Sequence, residues 1–362
     1  MDTPHFQRLR HLAQLGGVYQ VFPGASHNRF EHSVGVCHLA NVMLQQLKRC
    51  ENHLEEDEKI TDEDSLCVQI AGLCHDLGHG IWSHLFDLQF LPSVPEDQKP
   101  PGGWEHEHAS AGMFRAALDA DGGGLRAKFR AWGLGEAEEH FVQELIFGAP
   151  SETPEGFQWV GRGKRSYLYE IVANKRNGVD VDKFDYFARD CHHLGVPASF
   201  DALRLMCMAR IYRVEGALHV CFPNKEAWNV YELFHTRYNL HKRAYQHKVA
   251  NACELMVRDA LLAANPHFRL RGAGGRPCTL AQSVADPEAY LQVDDSILRE
   301  LERSSAPELA GARGILGRLR RRRLYKMTHE LIIKPGVKNK DILTGSNATT
   351  FLTRAGAAGV LL

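Results

Sequence analysis

The sequence predicts a mainly α-helical protein with a small α+β portion toward its C-terminus. Three observations carry this. Apolar residues recur at helical spacing through most of residues 1–265. Strand-like alternation is confined to short stretches, residues 217–222 foremost. Residues 266–330 then mix short strands, turns and helices. At 362 residues, with 44% hydrophobic and 24% charged side chains, the chain can bury a sizeable core and is ordinary in composition. Lys plus Arg number 43 against 44 Asp plus Glu. That balance excludes a protein basic throughout, though not a local basic patch.

Phe6, Leu9, Leu12 and Leu15 keep helical spacing up to Gly16-Gly17. Val36, Leu39, Ala40, Met43, Leu44 and Leu47 predict a helix over 34–47. Residues 51–64 are acidic and read as a solvated loop. An apolar helix over 65–77 is expected to stop at Gly78 and Gly80. Residues 91–104, rich in Pro and Gly, read as a surface loop. A helix carrying Phe114, Ala117 and Leu118 is expected to end at Gly122-Gly123-Gly124. Asn177-Gly178 splits helical runs over 166–176 and 181–193, and 225–264 is a long helical region. The composition from about residue 331 turns to Gly, Ala, Thr and Asn. The expected organisation is a main domain over 1–265, a partial α+β lobe over 266–330 and a divergent, disordered tail over 331–362.

The nine cysteines include no CxxC pair, which argues against a disulfide scaffold or structural zinc site and for a reducing compartment. No apolar run reaches the roughly 18 residues of a membrane span, and no membrane partner is expected. The N-terminus has no apolar signal region and enters with charged and apolar residues already interleaved. Twenty histidines point toward metal binding or acid–base chemistry.

That chemistry concentrates in Cys74-His75-Asp76-Leu77-Gly78-His79-Gly80, followed by His84 and Asp87. An apolar helix delivers His75 and Asp76 at its end. Upstream, His32 opens another apolar helix, and Asp182 lies downstream in Asp180-Val181-Asp182-Lys183. Two imidazoles and two carboxylates suit Zn, Fe, Mn or Mg, with positions left for water and substrate. The order His32, His75-Asp76, Asp182 is the H…HD…D pattern of metallophosphohydrolases with an HD domain. His79, His84, His106 and Asp87 can supply the acid–base groups of phosphate-ester hydrolysis. Arg29, Lys183 and Arg237 are candidate phosphate cations. Arg237, His241 and Tyr245 fall on one side of a helix, with Gln246 adjoining.

Four segments carry a resemblance: FQRLRHLAQLGGVYQVFPGASHNRFEHSVGV, LCVQIAGLCHDLGHGIWSH, YEIVANKRNGVDVDKFDYFARDCHHLG and FHTRYNLHKRAYQHKV. From residue 1 to about 330 the chain resembles the vertebrate sterile-alpha-motif and HD-domain deoxynucleoside triphosphate triphosphohydrolases. The resemblance implies an HD-domain helical fold and hydrolysis of a dNTP to deoxynucleoside and inorganic triphosphate, lowering dNTP pools in antiviral defence. It implies metal ligands His32, His75, Asp76 and Asp182, with Mg accompanying the nucleotide. His79, Asp87 and His106 become the catalytic histidine–carboxylate group, and His84 meets the leaving oxygen. Arg29, Lys183 and Arg237 hold phosphates. Gln14, Tyr186 and Asp190 meet the sugar 3′-OH, Leu15 and Tyr245 pack on the sugar, and Gln246 lies near the base. His241 joins them in the substrate pocket.

The family is also activated by GTP and dNTP, which drive a homotetramer. Asp2, Gln7, Arg10 and Arg322 match a first, guanine-selective activator site. Val21, Phe22, Arg204, Lys225, His247 and Lys248 match a second. Pro223 stands where the family usually has an arginine. Relative to the family the chain reads as truncated at both ends, without the sterile-alpha-motif domain and most of the C-terminal lobe, so impaired activation is expected. Nuclear localisation follows from the resemblance, and cytosolic residence from a family import signal that lies upstream of this sequence. The competing class is a non-catalytic regulator that binds single-stranded nucleic acid through Arg318, Arg320, Arg321, Arg322, Arg323 and Lys326. A hydrolase of cyclic or polyphosphorylated nucleotides is a third reading, disfavoured by the absence of a GYP-type extension.

Overall fold

The computed structural model describes residues 1–99 and 104–326. Residues Met1–Tyr325 form one compact unit, and of a second unit, Lys326–Leu362, only Lys326 is described. The expected tail over 331–362, with residues 100–103, lies outside the described residues. The architecture is mainly helical, as predicted. Its longer helices are α1 (Arg29–Lys48), α2 (Asp62–Cys74), α3 (His106–Ala131), α4 (Glu136–Phe147), α5 (Val181–Leu194), α6 (Ala227–Leu240), α7 (Lys248–Ala264), α8 (Ser296–Arg303) and α9 (Ala310–Arg320). Two antiparallel hairpins complete it: β1 (Arg210–Val214) with β2 (Ala217–Cys221), and β3 (Leu270–Arg271) with β4 (Pro277–Cys278). Among the described residues, no helix is long and apolar enough to cross a membrane.

Helix α1 packs against α2 and α5, and α2 against α4. Their starts are written locally. The Asn28 side chain accepts from the Phe30 N–H, Thr61 from Asp64, and Asp180 from Lys183. Gly195, at φ 65°, closes α5 in the left-handed conformation that glycine adopts without penalty. The core runs through Val36, Met43 and Leu44 of α1, Val68 of α2, Phe184 and Phe187 of α5 and Met256 of α7.

Several local expectations are corrected. The N-terminal pattern does not form one helix. It folds as a turn of α-helix over Pro4–Gln7, a 3-10 turn over Arg8–His11 and an isolated bridge between Ala13 and Asn28. Asp295 imposes this, because its carboxylate accepts both the Ala13 and Trp82 N–H groups. The acidic segment 51–64 is not simply solvated. Leu54, Ile60, Glu58 and Asp64 are buried, and α2 starts three residues early because Thr61 and Asp64 form a capping box. The same helix stops at Cys74, before either glycine, so His75 caps it. Gly122-Gly123-Gly124 do not end α3. Gly122 and Gly123 take positive φ, but buried Leu118 and Phe129 on either side hold the helix on course to Ala131. Leu91 and Val94 turn the start of the 91–104 segment into the core. The run over 166–176 is mostly a 3-10 turn (Gly163–Leu168) and one α-turn (Tyr169–Val172). The long region after 225 breaks between α6 and α7 at a π-turn, His241–Tyr245.

Candidate metal centre and active site

Three helix ends converge on one point. His32 lies in the first turn of α1, His75 caps α2 with Asp76 next to it, and Asp182 lies in the first turn of α5. His32 Nε2 is 3.1 Å from Asp182 Oδ1 and 3.5 Å from Asp76 Oδ2. His75 Nε2 is 3.4 Å from both Asp76 Oδ1 and Asp182 Oδ1. Ligand atoms about 2.1 Å from one ion stand roughly 3.0–3.4 Å apart, so these edges are those of a coordination shell. The outward nitrogens are already engaged. His32 Nδ1 meets Asp185 Oδ2 at 2.7 Å, and His75 Nδ1 meets the Gly72 carbonyl at 2.9 Å. Both rings therefore direct Nε2 inward, and the buried His75 Nε2 finds no hydrogen-bond partner among the described residues. That orphaned nitrogen is the observation that a cation fits here. The donor set of two imidazoles and carboxylate oxygens suits a divalent transition metal, and Mg less specifically.

The electrostatics agree. Burial lowers the basicity of His32, but its hydrogen bonds to Asp182 and Asp185 and the charge of Asp76 push it up to about 10. Burial opposes ionisation of Asp76 too, yet Arg29, His75 and His79 hold its carboxyl well below the usual range. Arg29 Nη1 donates to Asp76 Oδ2 at 2.7 Å, and Arg29 Nε donates to Ser83 Oγ at 2.9 Å.

Beside this cluster lies the second one the sequence anticipated. His79 and His106 stack at 4.2 Å between ring centroids. His106 Nδ1 is 3.0 Å and His84 Nδ1 3.4 Å from Asp87 Oδ2. Burial, Arg29 and His106 hold His79 well below the ordinary imidazole range. Burial also opposes the charge on His106, but Asp87 and Glu107 outweigh it and raise its pKa. His84 alone of the four is largely exposed, with 58% of its side chain open toward solvent. The arrangement supplies a buried, ionised carboxylate with a buried imidazole and an exposed one ahead of it.

A cavity of about 440 Å³ spans both clusters. Of the expected substrate residues, Gln14, Leu15, Arg29, Lys183, Tyr186, Asp190, Arg237, His241 and Tyr245 line it together. Gln246 lines a neighbouring cavity of about 520 Å³ that shares Gln14, Leu15, His84, His241 and Tyr245. The candidate phosphate cations are not equivalent. Arg29 is buried against Asp76, Lys183 Nζ pairs with Asp180 at 2.9 Å, and Arg237 is exposed at the cavity wall.

The expected activator residues lie outside the lining of these two cavities. Gln7 Oε1 accepts from Arg10 Nε at 2.8 Å, and Arg10 stacks over Phe30. Phe22 and His247 meet edge to face at 6.0 Å, with Val21 and Lys248 as their chain neighbours. Arg204 pairs with Glu226, next to Lys225. Asp2 is exposed, and Arg322 turns toward Cys253 Sγ at 4.0 Å.

Sequence reasoning missed the residues that orient others. Asp185 lies three positions beyond Asp182 on α5, a same-face spacing that could have flagged it. It grips His32 on one side and Arg189 on the other, and Gly35 makes room for it. A Cβ at Gly35 would stand 1.9 Å from Asp185 Oδ1. Asp185→Asn is expected to weaken divalent-metal affinity about 10- to 100-fold. Competition against a chromophoric chelator measures this, and unchanged affinity would remove Asp185 from the ligand support.

The HD-domain family model matches residues 29–125, the stretch that carries His32, His75 and Asp76. The chain is similar to proteins named deoxynucleoside triphosphate triphosphohydrolase SAMHD1. It is 49% identical to the Danio rerio protein over 331 residues, covering 90% of this chain and 52% of the relative. It is 46% identical to the Homo sapiens protein over 335 residues, 91% of this chain and 52% of that one. The SAMHD1 homolog of Dictyostelium discoideum is 38% identical over 336 residues, 92% of this chain and 57% of its own length. The chain thus spans about half the length of the curated relatives it matches.

Proposed function

We propose that this chain is a metal-dependent dNTP triphosphohydrolase, converting dNTP and water to deoxynucleoside and inorganic triphosphate. The observation that carries the reading is the shared cavity. It joins the His32–His75–Asp76–Asp182 cage, the His79–His84–His106 group and Tyr186, Asp190 and Tyr245, the residues expected to meet the sugar, in one wall. A divalent metal held by His32, His75, Asp76 and Asp182, whether Zn, Fe, Mn or Mg, supplies Lewis-acid polarisation of a phosphoryl oxygen and acidifies water. Lys183, Arg237 and Arg29 offset the triphosphate charge, with Mg accompanying the nucleotide. In this reading His84, exposed at the cavity and backed by Asp87, protonates the leaving deoxyribose oxygen. Asp87 orients both His84 and His106, and His79 stacks on His106 between the two clusters. Tyr245 against the sugar leaves little room for a 2′-OH, which favours deoxynucleotides. The second cavity, with Gln246 on its wall, gives the base room without a single fixed partner.

The regulatory part of the proposal rests on the relatives. GTP and dNTP activators, a homotetramer, nuclear residence and an antiviral role in lowering dNTP pools come from the family resemblance. Exposed Trp228, Tyr231, Phe234 and Tyr238 along α6 support self-association. A second reading is a single-stranded nucleic-acid-binding regulator, favoured by the exposed Arg321, Arg322 and Arg323 after α9.

Triphosphate release from dATP with Mg²⁺ or Mn²⁺, with and without GTP, tests both. GTP-stimulated release is the expected result. Salt-sensitive binding of an oligonucleotide by a metal-loaded protein that releases no triphosphate would favour the second reading.

A further inference from the structure

His27 is buried just before the α1 cap, and neither the metal cage nor the acid–base group uses it. Its Nε2 lies 2.6 Å from Asp190 Oδ1, and the other oxygen of that carboxylate, Oδ2, accepts from the Tyr245 hydroxyl at 2.5 Å. A carboxylate has no proton to give, so His27 Nε2 carries the hydrogen of this bond. The opposite nitrogen, Nδ1, is buried and finds no hydrogen-bond partner among the described residues. The ring stacks on His193 at 4.1 Å between centroids. An aliphatic side chain would serve that packing without the desolvation cost of an unpaired nitrogen. The one polar task of the side chain is therefore to hold Asp190. Its backbone does a matching task, because the His27 carbonyl accepts the Gln14 N–H at 3.1 Å. Asp190, Tyr245 and Gln14 all line the catalytic cavity, yet they come from distant parts of the sequence. His27 holds Asp190 and the Gln14 backbone directly, and Tyr245 through Asp190.

Asp190 is buried at the cavity wall, 1% exposed, and its carboxylate retains lone pairs that neither donor uses. A deoxynucleotide carries one sugar hydroxyl, the 3′-OH. We propose that His27 is a positioning residue that sets selectivity for nucleotides bearing a 3′-hydroxyl, by fixing the carboxylate of Asp190 between itself and Tyr245. This rests on the dNTP reading above. A site built to accept a hydroxyl binds the analogue that lacks it much less well, but only while the acceptor is held in place.

The test compares dATP with 2′,3′-dideoxyadenosine triphosphate on the full chain, as kcat and KM with Mn²⁺ and GTP. Two variants of similar polarity are used. His27→Gln keeps an N–H donor at about the reach of Nε2, and His27→Asn is too short to meet Asp190. The wild type is expected to prefer dATP. His27→Asn is expected to lose about tenfold or more of that preference, chiefly through KM for dATP, while the dideoxy substrate changes little. His27→Gln is expected to restore most of the preference. Thermal midpoints of the two variants show whether they are equally folded. Equal losses on both substrates, an unchanged preference in His27→Asn, or a His27→Gln protein no more selective than His27→Asn would each overturn the inference. A wild-type chain that neither binds nor hydrolyses either nucleotide would overturn the dNTP reading itself.

Discussion

Asp182→Ala is expected to cost at least about 1,000-fold in triphosphate release and to strip the protein of tightly bound metal. The carboxylate stands between the two imidazoles, 3.1 Å from His32 Nε2 and 3.4 Å from His75 Nε2. Without it the cage loses one of its two anionic donors, leaving Asp76 and the two imidazoles to hold the cation. Lewis-acid stabilisation is worth several kcal/mol, and each 1.36 kcal/mol is tenfold in rate, which sets the magnitude. The fold itself should survive. Asp182 is partly open to the cavity, and α5 is capped by its neighbour Asp180, whose side chain accepts from Lys183 N–H. Metal content by elemental analysis, the thermal midpoint and triphosphate release separate these outcomes. Treating the wild type with chelator should reproduce the variant's rate. A variant that retains stoichiometric metal and full turnover would show that the cage is not the catalytic centre.

Gly78→Ala is expected to be the most damaging single-methyl change, at about 3 kcal/mol or more. A Cβ there would lie 2.1 Å from the His106 carbonyl oxygen, 2.4 Å from Ser110 N and 2.8 Å from Ala109 C. All three are backbone atoms of the first turns of α3, so no flexible side chain can move aside. The glycine is also pinned from both sides, its N–H donating to Ser110 Oγ and its carbonyl accepting from Tyr290. Relief requires the N-terminus of α3 to retreat, which would draw His106 away from Asp87 and His79. The expected signature is therefore a lower unfolding midpoint together with lost turnover. Gly112→Ala on the same helix is the control. Nothing lies within 4 Å of a Cβ there, so a neutral or slightly stabilising effect, within about 1 kcal/mol, is expected. Equal midpoints for the two variants would contradict the close approach of the His79 loop to α3.

The chemistry of the site was legible because its residues are chemically unusual and its helices announce themselves locally. His75-Asp76 at the end of an apolar helix, and Asp182 at the start of the helical run after Asn177-Gly178, follow from residue type and 3.6-residue periodicity. The same reasoning failed where distant groups override local preference. Gly122 to Gly124 read as a helix end, but Phe114 and Phe129 pack across them and the helix continues. The apolar spacing of Phe6 to Leu15 reads as one helix. Asp295, far along the chain, takes the Ala13 N–H and bends the segment into the cavity wall, where Gln14 and Leu15 are needed.

By itself, then, the sequence determined the helical class, the four candidate metal ligands and the neighbouring histidines, since each depends on residue identity and short-range spacing. Only the tertiary structure decided which groups hold those residues in place. Asp185 behind His32 and His27 behind Asp190 are ordinary polar residues in the sequence. Their roles come from burial. Inside a packed core an unpaired donor or acceptor is costly, so each must find its partner across the fold, and the choice of partner has no sequence spacing to reveal it.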